Sequence, residues 1–165
     1  MATQAEKRAK VEEQARGMAE WDTLYQTHNA IFKLTELALL PENLSLPQLQ
    51  LLSVLKQNGS SLTTGEIARA MVKASQTMTG VVDRLEAQGL VERRYDRSDR
   101  RKVWVRLTEK GERRWEDAMP VANRLVEEVF SVLTDEQLRE LQAQTDKLRK
   151  AAMGRLAEAL ERPGF

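Results

Sequence analysis

Apolar residues recur at helical spacing along most of this chain and give way to strict alternation only once. Ala15, Met18, Leu24, Tyr25, His28, Ile31, Phe32 and Leu37 trace one face of a long helix. It must end before Pro41, since a proline pushes the preceding residue out of the helical region. The residues before Val11 are rich in Ala, Glu, Lys and Arg with little pattern, so they read as frayed helix and order is expected to begin near Val11. The stretch PENLSLPQ resets the chain. Ser45 and Gln48 have the spacing of a capping box, and Pro47 falls in the first turn, where no helical hydrogen bond is lost. Leu49, Leu52 and Leu55 supply the inner stripe, which Asn58 and Gly59 end.

Two short helices follow. Thr63 and Glu66 form another box, with Leu62 and Ile67 placed to staple it, and Ile67, Ala68, Met71 and Val72 give a stripe too short to stand without a packing partner. Ser75 is a good N-cap for the partner, in which Met78, Val81, Val82 and Leu85 face inward and Gly89 marks the stop. Beyond it Leu90 and Val91 lead into a strand, and Val103, Val105 and Leu107 alternate with Lys102, Trp104 and Arg106, which predicts a two-stranded hairpin. Thr108 caps the next helix through Trp115 and Met119, and Pro120 is expected to kink or interrupt it before Leu125, Val126, Val129, Phe130 and Leu133 resume the pattern. Thr134 and Gln137 make a third box, and Leu138, Leu141, Leu148, Ala152, Leu156 and Ala159 form the seam of a last helix that Pro163 and Gly164 end.

The predicted fold is therefore mainly α with one small β-hairpin, in three parts: an N-terminal dimerisation helix over 1–40, a compact head over 41–111, and C-terminal dimerisation helices over 112–165. The end stripes lie far from the head in sequence, and an intertwined homodimer buries them most simply; the alternative is a monomer with a coiled-coil extension. Composition agrees with thin cores that need a second chain, since only 5% of residues are aromatic and 31% are charged.

The outer face of the helix after Ser75 carries Gln76, Thr77, Thr79, Gly80, Asp83 and Arg84. Amide and hydroxyl groups there suit base edges in a major groove, and a solvated face explains them equally. The hairpin tip shifts the balance. Arg93, Arg94, Arg97, Arg100, Arg101 and Lys102 face only Asp96 and Asp99, and concentrated like charge does not help a fold. It does suit phosphates and the negative potential of a minor groove. Net charge is only +1, so any nucleic-acid role rests on this local asymmetry.

The run Gly89-Leu90-Val91-Glu92-Arg93, then Asp99-Arg100-Arg101, then Leu107-Thr108-Glu109-Lys110-Gly111 resembles the winged helix-turn-helix of the MarR (multiple antibiotic resistance regulator) family, and the helical flanks match it too. The resemblance implies a homodimeric regulator on double-stranded DNA, with Ser75, Gln76, Thr77, Thr79 and Arg84 on the recognition helix and Arg97, Asp99, Arg100, Arg101 and Lys102 on the wing. Asp99 would orient a wing arginine while Arg100 and Arg101 enter or flank the minor groove. It further implies release of DNA by a small aromatic or acyl-CoA effector in a cleft beside the dimer helices, for which Tyr25, His28, Phe32 and Trp115 are residues of suitable type; core or dimer packing explains the same aromatics. Gly80 departs from the family, many of whose members carry a longer, often basic side chain there.

Other chemistries find little support. With no cysteine and one histidine, His28, neither thiol chemistry nor an ordinary zinc site is expected, and no cofactor is implied. There is no phosphate loop, nucleophile elbow or HExxH motif, so an enzyme is not expected. No apolar run approaches a membrane span and the charged start lacks a signal-peptide core, which makes a cytoplasmic home without membrane contact the expectation. Two readings remain beside a repressor: an activator, or a winged helix used for protein contact, which would expose apolar anchors instead of Gln, Thr and Arg.

Overall fold

The structure is a computed structural model. It describes residues 3–72, 75–96 and 102–161, without the side chains of 5–16, 75 and 76. The elements run α1 (Gln4–Ala38), a 3-10 turn (Leu40–Glu42), α2 (Leu46–Gln57), β1 (Ser61–Thr63), α3 (Thr64–Ala70), α4 (Ser75–Ala87), β2 (Val91–Tyr95), β3 (Val103–Leu107), α5 (Glu109–Phe130) and α6 (Asp135–Leu160). They form two compact units, Met1–Val126 and Glu127–Phe165.

All three capping boxes form, each with its hydroxyl on the third helical amide and the Glu or Gln side chain back on the cap amide: Ser45 with Gln48, Thr63 with Glu66, and Thr134 with Gln137. Thr108 opens α5, its Oγ1 accepting from the Gly111 amide at 3.0 Å while donating to the Gly89 carbonyl at 2.8 Å. Gly89 ends α4 at φ +71, with its own amide on the Glu86 carbonyl and the Leu90 amide on the Leu85 carbonyl. That paired bonding satisfies two orphan carbonyls and needs a left-handed residue where glycine stands.

One core organises the first unit. Leu49, Leu51, Leu52 and Leu55 of α2, Ile67 of α3, Met78, Val82 and Leu85 of α4, Val91 of β2 and Val105 of β3 are each no more than 2% exposed. α4 packs against α2, α3 and β2, so its whole inner stripe is consumed by this core. In the second unit α6 buries no residue, and Leu148, Met153, Leu156 and Leu160 stand exposed.

The structure corrects the sequence reading at four places. The sheet has three strands in the order β1-β3-β2, not two, and β3 is central, with Leu62 opposite Val105 on one side and Arg93 opposite Val105 on the other. A strand of three residues is too short to show alternation, and the capping box at Thr63 dominates the local signal. α3 ends at Ala70, and Val72 leaves its stripe at φ +50 with 53% exposure, because the chain turns there towards α4. Helix begins at Gln4, ahead of Val11. Pro120 does not interrupt α5, which runs through it. Pro120 and Glu116 are both on the exposed side, where water can take the carbonyl that the missing amide leaves free.

Gly111 explains part of the exit motif physically. A Cβ there would fall on the carbonyl oxygen of Leu90 and within 2.9 Å of Leu107 Cδ1, so only glycine lets the first turn of α5 lie against the end of α4. Gly80 is the opposite case, with nothing within 4 Å of an added Cβ. Thermal unfolding should therefore show Gly111→Ala destabilised by about 1–3 kcal/mol or more, and Gly80→Ala stabilised by up to about 1 kcal/mol. Equal shifts would contradict this packing.

Glu66 adds a pH signature. The Thr63 amide and then the Thr63 hydroxyl hold its carboxyl below the ordinary carboxylate value, outweighing the opposing effect of burial, and the Arg69 and Lys102 charges add smaller help. A depressed carboxylate stabilises fully above its unfolded pKa and loses that contribution as pH falls through the folded value. Glu66→Gln keeps the box without the charge, so its unfolding should lose part of the wild-type dependence on acid pH; an unchanged acid limb would remove Glu66 from the account.

Candidate nucleic-acid interface

With its inner stripe buried, α4 turns Thr77, Thr79, Asp83 and Arg84 to solvent. Gly80 sits among them and leaves a notch in the helix surface. Ser75 and Gln76 occupy the first turn of α4, and their side chains lie outside the described residues. So do Arg97, Asp99, Arg100 and Arg101 of the predicted wing. Lys102 is exposed at the base of the hairpin, where its carbonyl accepts from the Asp96 amide at 3.1 Å and Trp104 Nε1 reaches Asp96 Oδ2 at 3.5 Å.

The cationic cluster divides in a way the sequence did not reveal. Arg93 is committed to the fold, with Nη2 donating to Asp83 Oδ1 and Nη1 to Glu86 Oε2, both at 2.5 Å, and its side chain is only 18% exposed. Burial works against its charge, but the bonds to Asp83 and Glu86 outweigh that and raise its pKa. Arg94 lies on the surface beside Glu92, 2.9 Å away. The expectation that Arg93 joins the phosphate-facing set is thus corrected, since two carboxylates hold it against the fold, whereas Arg94 keeps a side chain 60% exposed and an exposed pair of this kind holds it only weakly.

A hollow of about 480 Å³ separates the start of α3 from the hairpin, lined by Thr63, Thr64, Glu66, Arg69, Lys102 and Trp104 among others. Arg69, which no sequence pattern singled out, comes near Lys102 there because β1 pairs with β3.

The four aromatics expected at an effector cleft fall in two groups. Tyr25 is 54% exposed and stacks on Trp21 at 6.1 Å, while His28 is exposed and meets the Phe32 ring at 5.9 Å. Trp115 is fixed elsewhere, donating to Ser53 Oγ at 2.8 Å beneath the Lys56 ammonium, which lies 5.7 Å from its ring and pairs with Glu112. Beside Ser53 opens a cavity of about 420 Å³ between α2, the end of α3 and α5, whose lining includes Leu49, Gln50, Gln57, Met71 and Met119 and none of the four aromatics. Ser53 Oγ also reaches Met119 Sδ at 3.6 Å. Among the described residues no group of His, Cys, Asp and Glu could hold a metal, and no helix is long and apolar enough to cross a membrane.

Residues 44–103 match the MarR family model. The chain is 33% identical over 105 residues to the HTH-type transcriptional repressor MdtR of Bacillus subtilis, covering 64% of this chain and 67% of that protein. It is 37% identical over 103 residues to the HTH-type transcriptional repressor NicR of Pseudomonas putida, covering 62% and 63%. Across the first four curated relatives the match spans 41% to 67% of their length. An organohalide-sensing transcriptional regulator, solved with 2,4-dichlorophenol bound, superposes with a TM-score of 0.77 at 25% identity over 82% of this chain and 80% of that one. A polar helix face held out by a buried stripe, a basic hairpin beside it and these likenesses converge: the chain belongs to the MarR family of winged helix-turn-helix, DNA-binding regulators of transcription.

Proposed function

We propose that this protein is a homodimeric repressor that holds a pseudo-palindromic operator and releases it when a small, uncharged aromatic molecule binds. The carrying observation is α4, whose stripe of Met78, Val81, Val82 and Leu85 is wholly spent on the core while Thr77, Thr79 and Arg84 face outward next to the hairpin. In this reading Ser75, Gln76, Thr77, Thr79 and Arg84 meet the major groove, and Arg97, Asp99, Arg100, Arg101 and Lys102 serve the minor groove and backbone. Repression is supported by the relatives that are named repressors.

Exposed apolar surface supports the dimer. Met18, Trp21, Tyr25, His28 and Phe32 follow alternating three- and four-residue steps along α1, the spacing of a helix–helix seam, and Trp21 is 60% exposed. A stripe of that size on a monomer would invite aggregation. The two recognition helices of such a dimer would enter successive major grooves about 34 Å apart.

For the effector, the cavity beside Ser53 has the volume of a small-ligand site, and none of its lining residues is charged. That favours a neutral aromatic over an acyl-CoA thioester or a carboxylate, and 2,4-dichlorophenol in the related structure is of this kind. Tyr25, His28, Phe32 and Trp115 form the competing location.

Sedimentation should give a dimer, and footprinting two symmetric half-sites; a stable monomer or one protected half-site would overturn the reading. Thr77→Ala should relax discrimination at defined base pairs by about 1–3 kcal/mol. Lys102→Ala should weaken binding to all duplexes and flatten the salt slope by about 1. Equal effects of both substitutions on operator and random DNA would misplace the recognition helix.

Titration with 2,4-dichlorophenol checks the effector site. Release should be lost on filling the cavity with Met119→Phe and kept in His28→Ala, and operator should weaken phenol binding by the factor phenol weakens operator binding, about 1–3 kcal/mol of coupling. The opposite pattern of the two variants would move the site to the aromatics of α1.

A further inference from the structure

Arg93 stands where a strand should present an apolar side chain. Residues of β2 alternate, Val91 is buried on the inner face at 2% exposure, and Arg93 follows two positions on, towards α4. Arg94 and Arg106, by contrast, have side chains 60% and 53% exposed. A cation held at an inward position carries a desolvation cost that only well-placed partners offset. They are present. The guanidinium spans Asp83 and Glu86, its Nη2 also approaches the Thr79 carbonyl at 3.5 Å, and the Arg93 backbone amide donates to Glu86 Oε1 at 3.0 Å.

Thr79, Asp83 and Glu86 are spaced four and three apart, so they lie on one side of α4, next to the outer face that carries Thr77, Gly80 and Arg84. One side chain from the hairpin thus grips two turns of the helix along its flank. We propose that Arg93 is a positioning residue for DNA reading, which fixes the rotation of α4 about its axis relative to the wing without itself touching DNA. A helix and a hairpin that must enter neighbouring grooves together need a fixed mutual angle, since sites tolerate errors of only about 10–20°. Arginine suits the task because its planar fork holds two carboxylates at once, which a lysine ammonium does not do with the same geometry. The same bonds also neutralise Asp83, a carboxylate that would otherwise face phosphates.

The inference rests on α4 and the hairpin meeting DNA. Full-length protein carrying Arg93→Lys, Arg93→Gln or Asp83→Asn is compared with wild type for thermal unfolding, for affinity on a duplex selected from a random pool by the wild type, for affinity on random duplex, and for salt slope. Both Arg93 substitutions should cut the preference for selected over random duplex by about tenfold, comparable to one misread base pair, at an unchanged salt slope. Asp83→Asn is the sharper case: charge alone predicts tighter binding to every duplex, whereas loss of one leg of the grip predicts lower preference. Wild-type preference in Arg93→Lys, a loss equal on both duplexes, or a slope flattened by about 1 in Arg93→Gln would overturn the proposal, the last by making Arg93 a phosphate contact. Should Arg93→Gln unfold at the assay temperature, Arg93→Lys and Asp83→Asn decide. Thr77→Ala and Lys102→Ala run alongside: if neither changes DNA binding, the DNA-reading assignment itself fails, and if both act while Arg93→Lys is silent, only the role of Arg93 falls.

Discussion

The structure depends on burying one stripe. Met78, Val81, Val82 and Leu85 of α4 are consumed by a core shared with α2, α3 and the sheet, and together they contribute on the order of 6–12 kcal/mol of apolar burial. Such burial sets which side of α4 is left for solvent. Once it is fixed, the polar residues on the other side have only one place to be, and the helix becomes a rigid mount for Thr77, Thr79 and Arg84. The short α3 could not exist alone; its box at Thr63 and Glu66 only starts the helix, and Ile67 on the same core keeps it.

Charge is divided between two uses on this frame. Arg93, Glu86 and Asp83 settle an internal balance between helix and hairpin, as do Lys56 and Glu112 between α2 and α5. Lys102 and Arg69 stay on the outside, near the hollow beside Glu66, whose carboxyl is held low first by the Thr63 amide and hydroxyl and only secondarily by these two charges. A basic cluster read as one patch therefore has members of different kinds. Position in the pleat separates them: an arginine on the inward face of β2 belongs to the fold, and one on the outward face can meet a partner.

The junction between head and α5 works by close approach. Thr108 bonds the backbone at Gly89 and Leu90, Gly111 leaves room for the Leu90 carbonyl, and Gly89 supplies the left-handed turn. These residues tie the end of α4, the end of β3 and the start of α5 to one point. Ser53, bonded to Trp115 of α5 and facing the cavity, joins α2 to that same helix. A ligand beside Ser53 would touch α2 and the end of α3, and both of these helices pack against α4.

The sequence by itself determined most of the local structure, because local structure follows from spacing and from short-range hydrogen bonds. The three boxes, the stop at Gly89, the stripe of α4 and the alternation of β3 are all short-range patterns, and each formed as the spacing implies. The family was legible too, in the GLVER, DRR and LTEKG runs. Tertiary structure alone decided the rest. β1 has no signal of its own and exists because β3 offers it an edge. Arg93 reads as one cation among several until Asp83 and Glu86, ten and seven residues earlier, are brought against it. The cavity beside Ser53 collects residues from α2, α3 and α5, and Trp115 is held by a hydroxyl sixty-two positions away, distances over which no periodicity carries information.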